Sequence, residues 1–115
     1  MRNEKENITQ LKNAVSTGFE KFDEFTLLTE KDFNTIDELR KYLSEKLSAL
    51  MIKNFDEVLK ILYRIDINEN NVQKVIHSKN EYKANLLADL IIERQMQKIK
   101  TRQKYKSSND LGLLD

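Results

Sequence analysis

An all-α compact bundle of four to five helices with a long C-terminal helix is the fold this sequence predicts, and three observations predict it. Two glycines and no proline in 115 residues leave almost nothing for tight strand turns or phosphate-binding loops. Apolar residues recur at intervals of three and four instead of alternating. One breaker-free stretch, 80–106 (NEYKANLLADLIIERQMQKIKTRQKYK), is long enough for about seven helical turns at ~3.6 residues each.

The length bounds the chain to a single domain with a modest core. Net charge is only +1, but it is unevenly spread. Residues 1–28 carry four bases against five acids, 29–93 ten against twelve, and 94–115 six against two, so a mildly acidic body has a basic end. Without cysteine there is no disulfide, thiol catalysis or thiolate metal site. The opening MRNEKENITQ has no apolar core of the kind a secretion signal needs, and no apolar run approaches the ~20 residues of a membrane span. The expected location is cytoplasmic, away from any membrane.

Three regions are expected: a flexible or amphipathic leader over 1–20, a helical domain over 21–106, and a flexible tail over 107–115. In the leader, Met1 to Asn7 is expected to be disordered. Ile8, Leu11, Val15, Phe22 and Phe25 then fall on one helical face if Gly18 is tolerated there, with Phe19 beside it. That segment reads either as a docking arm or as a disordered lead-in to Phe19.

Thr35-Ile36-Asp37-Glu38 has the form of a capping box and starts a helix whose inner line is Ile36, Leu39, Leu43, Leu47 and Leu50. Met51 lies alongside, and Tyr42 and Ile52 close its edges. Asn54 is expected to end this helix and cap the next, 55–65, which carries Phe55, Val58, Leu59, Leu62 and Ile65 on one face.

Asp66, Asn68 and Asn70 imitate the opening of a calcium-binding loop. The position that needs glycine holds Asn71, and the closing carboxylate position holds His77, so the ligand set falls short. Asn68 reads instead as a helix cap, with Ile67 and Val72 packing across it and Val75 and Ile76 facing inward. His77, the one histidine, is expected at the surface. Ser78-Lys79-Asn80-Glu81 is a second capping-box pattern, opening the long helix.

That helix changes character midway. Leu86, Leu87, Ala88, Leu90, Ile91 and Ile92 make its first half apolar over most of its circumference, as in a helix surrounded by others, and Leu90 is expected to be buried. Beyond Glu93 the apolar line narrows to Ile92, Met96 and Ile99, continued by Gln103, with Arg94, Lys98, Lys100, Arg102, Lys104 and Lys106 around it and no acid among them. A narrow seam with charged flanks is the pattern of a helix that meets one partner helix. The plainer account is a solvated end whose cations offset the partial negative charge of the helix C-terminus.

Leu62-Tyr63-Arg64-Ile65-Asp66 and Leu87-Ala88-Asp89-Leu90-Ile91-Ile92-Glu93-Arg94-Gln95 resemble a group of short, all-helical bacterial proteins with no assigned activity. The resemblance spans roughly 27–105 and implies a compact helical domain; it carries no substrate, cofactor or site residue. One histidine, acids placed at caps or outer faces, and no glycine-rich loop argue against an enzyme, and no catalytic, cofactor or metal residue is named. The expected function is a protein-interaction or assembly module acting through the basic helix on another protein or a second copy. The alternative is a nucleic-acid-binding accessory protein using the same cations, with salt-sensitive binding. Against that alternative stand the near-neutral charge and Tyr105 as the one aromatic among the bases.

Overall fold

In a computed structural model the described residues are 4–79 and 82–110, with backbone alone for 105–110. The order is α1 (Glu4–Gly18), two single-turn 3-10 helices (Asp23–Phe25 and Leu28–Glu30), α2 (Ile36–Arg64), α3 (Glu69–Ile76) and α4 (Lys83–Asp110). No strand occurs among the described residues. The fold is the all-α bundle with a long C-terminal helix, and α4 is its axis: α1, α2 and α3 all pack against it.

α1 belongs to the globule. Ile8, Leu11 and Val15 recur on one face and are buried in the common core with Phe19, Phe25 and Leu28. The expectation of disorder up to Asn7 is therefore corrected for residues 4–7, which form the first turn of α1. A polar residue holds that turn in place, since the Glu4 carboxylate accepts the backbone amide of Ile36 at 3.1 Å. The helix stops at Gly18, so Phe22 and Phe25 do not continue its face. Instead Phe19 stacks on Phe25 with ring centroids 4.7 Å apart and turns the chain across the bundle.

Three side chains meet the orphan amides at the start of α2. Thr35 Oγ1 accepts from Glu38 N at 3.2 Å, Glu38 Oε1 from Asn34 N at 2.8 Å, and Glu4 from Ile36 N. Glu38 thus reaches one residue further back than a reciprocal box requires. Within α2, Asn54 leaves helical geometry (φ −157°, ψ 72°) and divides the helix into arms of 36–53 and 55–64, the break expected at that residue. Leu39, Leu43, Leu47 and Leu50 line the first arm; Val58, Ile61 and Leu62 line the second. Ile52, expected to close an edge, is 88% exposed instead. The turn at Asn54 leaves it outside the packed face.

The second arm ends in a Schellman motif. Ile67 N donates to Leu62 O at 3.0 Å and Asp66 N to Tyr63 O at 3.1 Å, with Asp66 in the left-handed region at φ 70°. Buried Leu62 and Ile67 supply the apolar contact of that motif. Two residues on, Asn68 Oδ1 accepts from the amides of Asn70 (2.8 Å) and Asn71 (3.2 Å), while Ile67 and Val72 are both buried across the cap. His77 is exposed and pairs with Gln73 at 3.0 Å. Among the described residues no group of three acidic, histidine or cysteine side chains converges on a metal position.

In α4, Leu87, Ala88 and Ile91 are fully buried and Ile92 nearly so. Leu90, expected to be buried, is only half-buried and packs against the core. Asn80 and Glu81 of the second capping pattern, and Leu111, Leu113 and Leu114 of the tail, lie outside the described residues. Residues 107–110, expected within the flexible tail, continue α4.

Candidate interaction surface

Eight of the nine residues singled out on α4 separate into three groups. Ile92, Met96 and Ile99 are the apolar seam, and the seam is not free. Ile99 is fully buried, Ile92 is 4% exposed and Met96 packs half-buried against the core. Gln103, which continues the line, has its Nε2 shielded from solvent. The seam is covered within the chain, in the core where α1, α2 and α3 all pack against α4. These three residues are therefore corrected from contact candidates to core residues.

Arg94 and Lys98 form the second group, and both turn inward to the end of α2. Arg94 Nε donates to the Asp66 carbonyl at 3.1 Å and Nη2 to the Asp66 carboxylate at 2.7 Å. Lys98 Nζ donates to Ile65 O at 3.2 Å and lies 4.0 Å from the same carboxylate. Two cations thus meet the terminal carbonyls of a helix, where its dipole is negative. The hydrogen bond from Arg94, then the charges of Arg94 and Lys98, hold the Asp66 pKa below its ordinary value. This clamp was not read from the sequence.

Lys100, Arg102 and Lys104 form the third group. All three are exposed, and no acid pairs with them among the described residues. At ~100° per residue Lys100 and Lys104 share one side of the helix and Arg102 lies nearly opposite, so charge surrounds the rod. Lys106 has no described side chain.

Elsewhere, some cations are met by acids across elements, while Lys41, Arg64 and Lys74 are exposed and meet no acid among the described residues. Lys21 pairs with Glu57 at 3.3 Å and Lys53 with Glu24 at 3.2 Å; the Lys21 hydrogen bond lowers the Glu57 pKa, and that of Glu24 is lowered by a backbone hydrogen bond and then by Lys53. Arg40 Nε and Asp89 Oδ1 form an ion pair at 2.5 Å, shielded from solvent although its alignment falls short of a hydrogen bond, and it fastens α2 to α4. Lys12, almost buried, donates to the carbonyl of Lys31 and lies over the Phe33 ring.

Two concavities adjoin the clamp. One of about 400 Å³ lies between the α2–α3 turn and α4, bordered by Asp66, Asn71, Glu93 and Arg94. The other, about 790 Å³, lies where the end of α1 meets the end of α2 and α4. No helix among the described residues is long and apolar enough to cross a membrane.

No family model, curated protein or solved structure matches the chain, so the likeness to short bacterial helical proteins adds nothing to this surface.

Proposed function

We propose that the protein is an interaction module that engages an acidic partner protein through the distal cations of α4, Lys100, Arg102 and Lys104. The observation that carries this is the contrast along one helix. Arg94 and Lys98 are used up on the α2–α3 turn, whereas the three cations beyond them are exposed and meet no acid of the described chain. Exposed cations on a rod anchored by a buried root are preorganised for a negatively charged surface, and they set the association rate and its salt dependence more than the final affinity. With Ile92, Met96 and Ile99 in the core, the contact is polar in this proposal, and helix pairing through the seam is no part of it.

A test is capture from the host lysate with the wild type and with a Lys100→Ala/Lys104→Ala variant, followed by titration of the purified partner at two salt concentrations. A partner that resists nuclease, is lost in the variant and weakens with salt supports the proposal. Capture that ignores the double change removes it.

The same exposed charge supports nucleic-acid binding as the second reading, because a tip without an apolar seam offers what a phosphate backbone requires. Arg102 facing away from Lys100 and Lys104 weighs against a single groove contact, since one duplex face meets only one side of a helix. Nuclease-sensitive capture would transfer the function to this reading.

A further inference from the structure

The 790 Å³ groove at the corner of α1, α2 and α4 has a character of its own. Ala14, Gly18 and half-buried Ile65 give it an apolar patch beside Thr17 and buried Gln95, and around that patch Lys21, Arg64 and Lys98 stand against one carboxylate, Glu20. Lys21 is engaged with Glu57 and Lys98 with the Ile65 carbonyl, but Arg64 is exposed and meets no partner among the described residues. An apolar patch with cations around it suits a short segment of bulky aliphatic and acidic residues. The chain contains one: after Asn109 it reads Asp110-Leu111-Gly112-Leu113-Leu114-Asp115, three leucines between two aspartates and no base.

The segment cannot serve its own groove. From Lys98 beside the patch, α4 carries the chain about 18 Å onward to Asp110 at ~1.5 Å per residue. Leu114, four residues past Asp110, is reached after at most about 14 Å of fully extended chain, so its backbone stops short of Lys98. In a second molecule no such limit applies.

We infer that this groove docks the 110–115 segment of a second copy, with the leucines on the Ala14, Gly18 and Ile65 patch and an aspartate at Arg64. The contact is head-to-tail, so the two surfaces differ and each molecule offers both. It is separate from the acidic-partner surface at Lys100 and Lys104, and either can fail without the other.

The probe is a labelled peptide of residues 107–115, SSNDLGLLD, titrated with the full chain by fluorescence anisotropy, alongside sedimentation of the full chain over a range of concentrations. Saturable binding is expected, weakened at least ~fivefold by Arg64→Glu as for loss of a rim charge worth ~1 kcal/mol. Lys100→Ala/Lys104→Ala should leave it unchanged. A peptide carrying Leu113→Asp and Leu114→Asp should not bind, which tests the apolar patch without altering the folded chain. The mass should rise with concentration in the full chain and stay monomeric in one ending at Asp110. Absence of saturable binding, indifference to Arg64→Glu, or a full chain that stays monomeric throughout overturns the inference.

Discussion

Arg94 holds Asp66 twice, through its carbonyl at 3.1 Å and its carboxylate at 2.7 Å, at the one non-glycine residue described with a positive φ. Left-handed backbone is disfavoured for residues with a Cβ, although Asp and Asn tolerate it better than most. The guanidinium thus stabilises a conformation that the helix end requires. Arg94→Ala should lower the urea midpoint by more than Asp66→Asn does, because Asn keeps its tolerance of the left-handed region and the carbonyl contact survives. Asp66→Ala should fall below Asp66→Asn. An Asp66→Ala variant as stable as Asp66→Asn would show that backbone tolerance is immaterial here.

The same pair sets a pH dependence. Hydrogen bonding to Arg94 depresses the Asp66 pKa; that of Glu57 is lowered first by its hydrogen bond to Lys21, and that of Glu24 by a backbone hydrogen bond and then Lys53. A carboxylate with a depressed folded-state pKa adds stability that is fully present above its unfolded value, near 4, and is lost as pH falls through the folded value. Urea midpoints should therefore be flat from pH 7 to about 5 and decline below ~4. In Arg94→Ala that decline should be shallower. An equal decline in both proteins would remove Asp66 from the acid limb.

What was legible in the sequence is what is decided locally. Thr35 with Glu38, Asn54, and Asn68 flanked by Ile67 and Val72 each act within about a turn, and the structure uses each of them at an end or break of a helix. Asp66 escaped because the residue at that position of a Schellman motif is usually glycine. The available signal was Leu62 and Ile67, five residues apart across a polar turn. The seam of Ile92, Met96 and Ile99 announced a partner, but spacing does not say that the partner is the chain's own core. Ile8, Leu11 and Val15 formed a second narrow line of the same period, and both lines belong to that one core.

Burial along α4 predicts where its energy lies. Leu87→Ala and Ile99→Ala, both fully buried, should each cost about 2–5 kcal/mol. Leu90→Ala should cost less, because that side chain is only partly buried. Lys100→Ala with Lys104→Ala should change stability by no more than about 0.5 kcal/mol. Denaturant melts of the four proteins decide the matter, and an Ile99→Ala loss as small as that of the lysine pair would place the seam back at the surface.

Gly18 is held by proximity instead of by backbone conformation. A Cβ built on it would lie 2.7 Å from Ile65 Cγ2, closer than two such carbons approach, so α1 meets the end of α2 only because this residue has no side chain. Alanine would ordinarily strengthen a helix by up to ~1 kcal/mol over glycine. Here the displaced Ile65 should reverse the sign, with a net loss of about 1–3 kcal/mol as in other overpacked contacts. The branched carbon of Ile65 is the obstacle, so Ile65→Ala should remove the penalty. In the double-mutant cycle Gly18→Ala should then be neutral or stabilising on the Ile65→Ala background, a coupling of at least ~1 kcal/mol between residues in contact. Additive losses would mean that the two helices part without strain and that Gly18 is not what sets their distance.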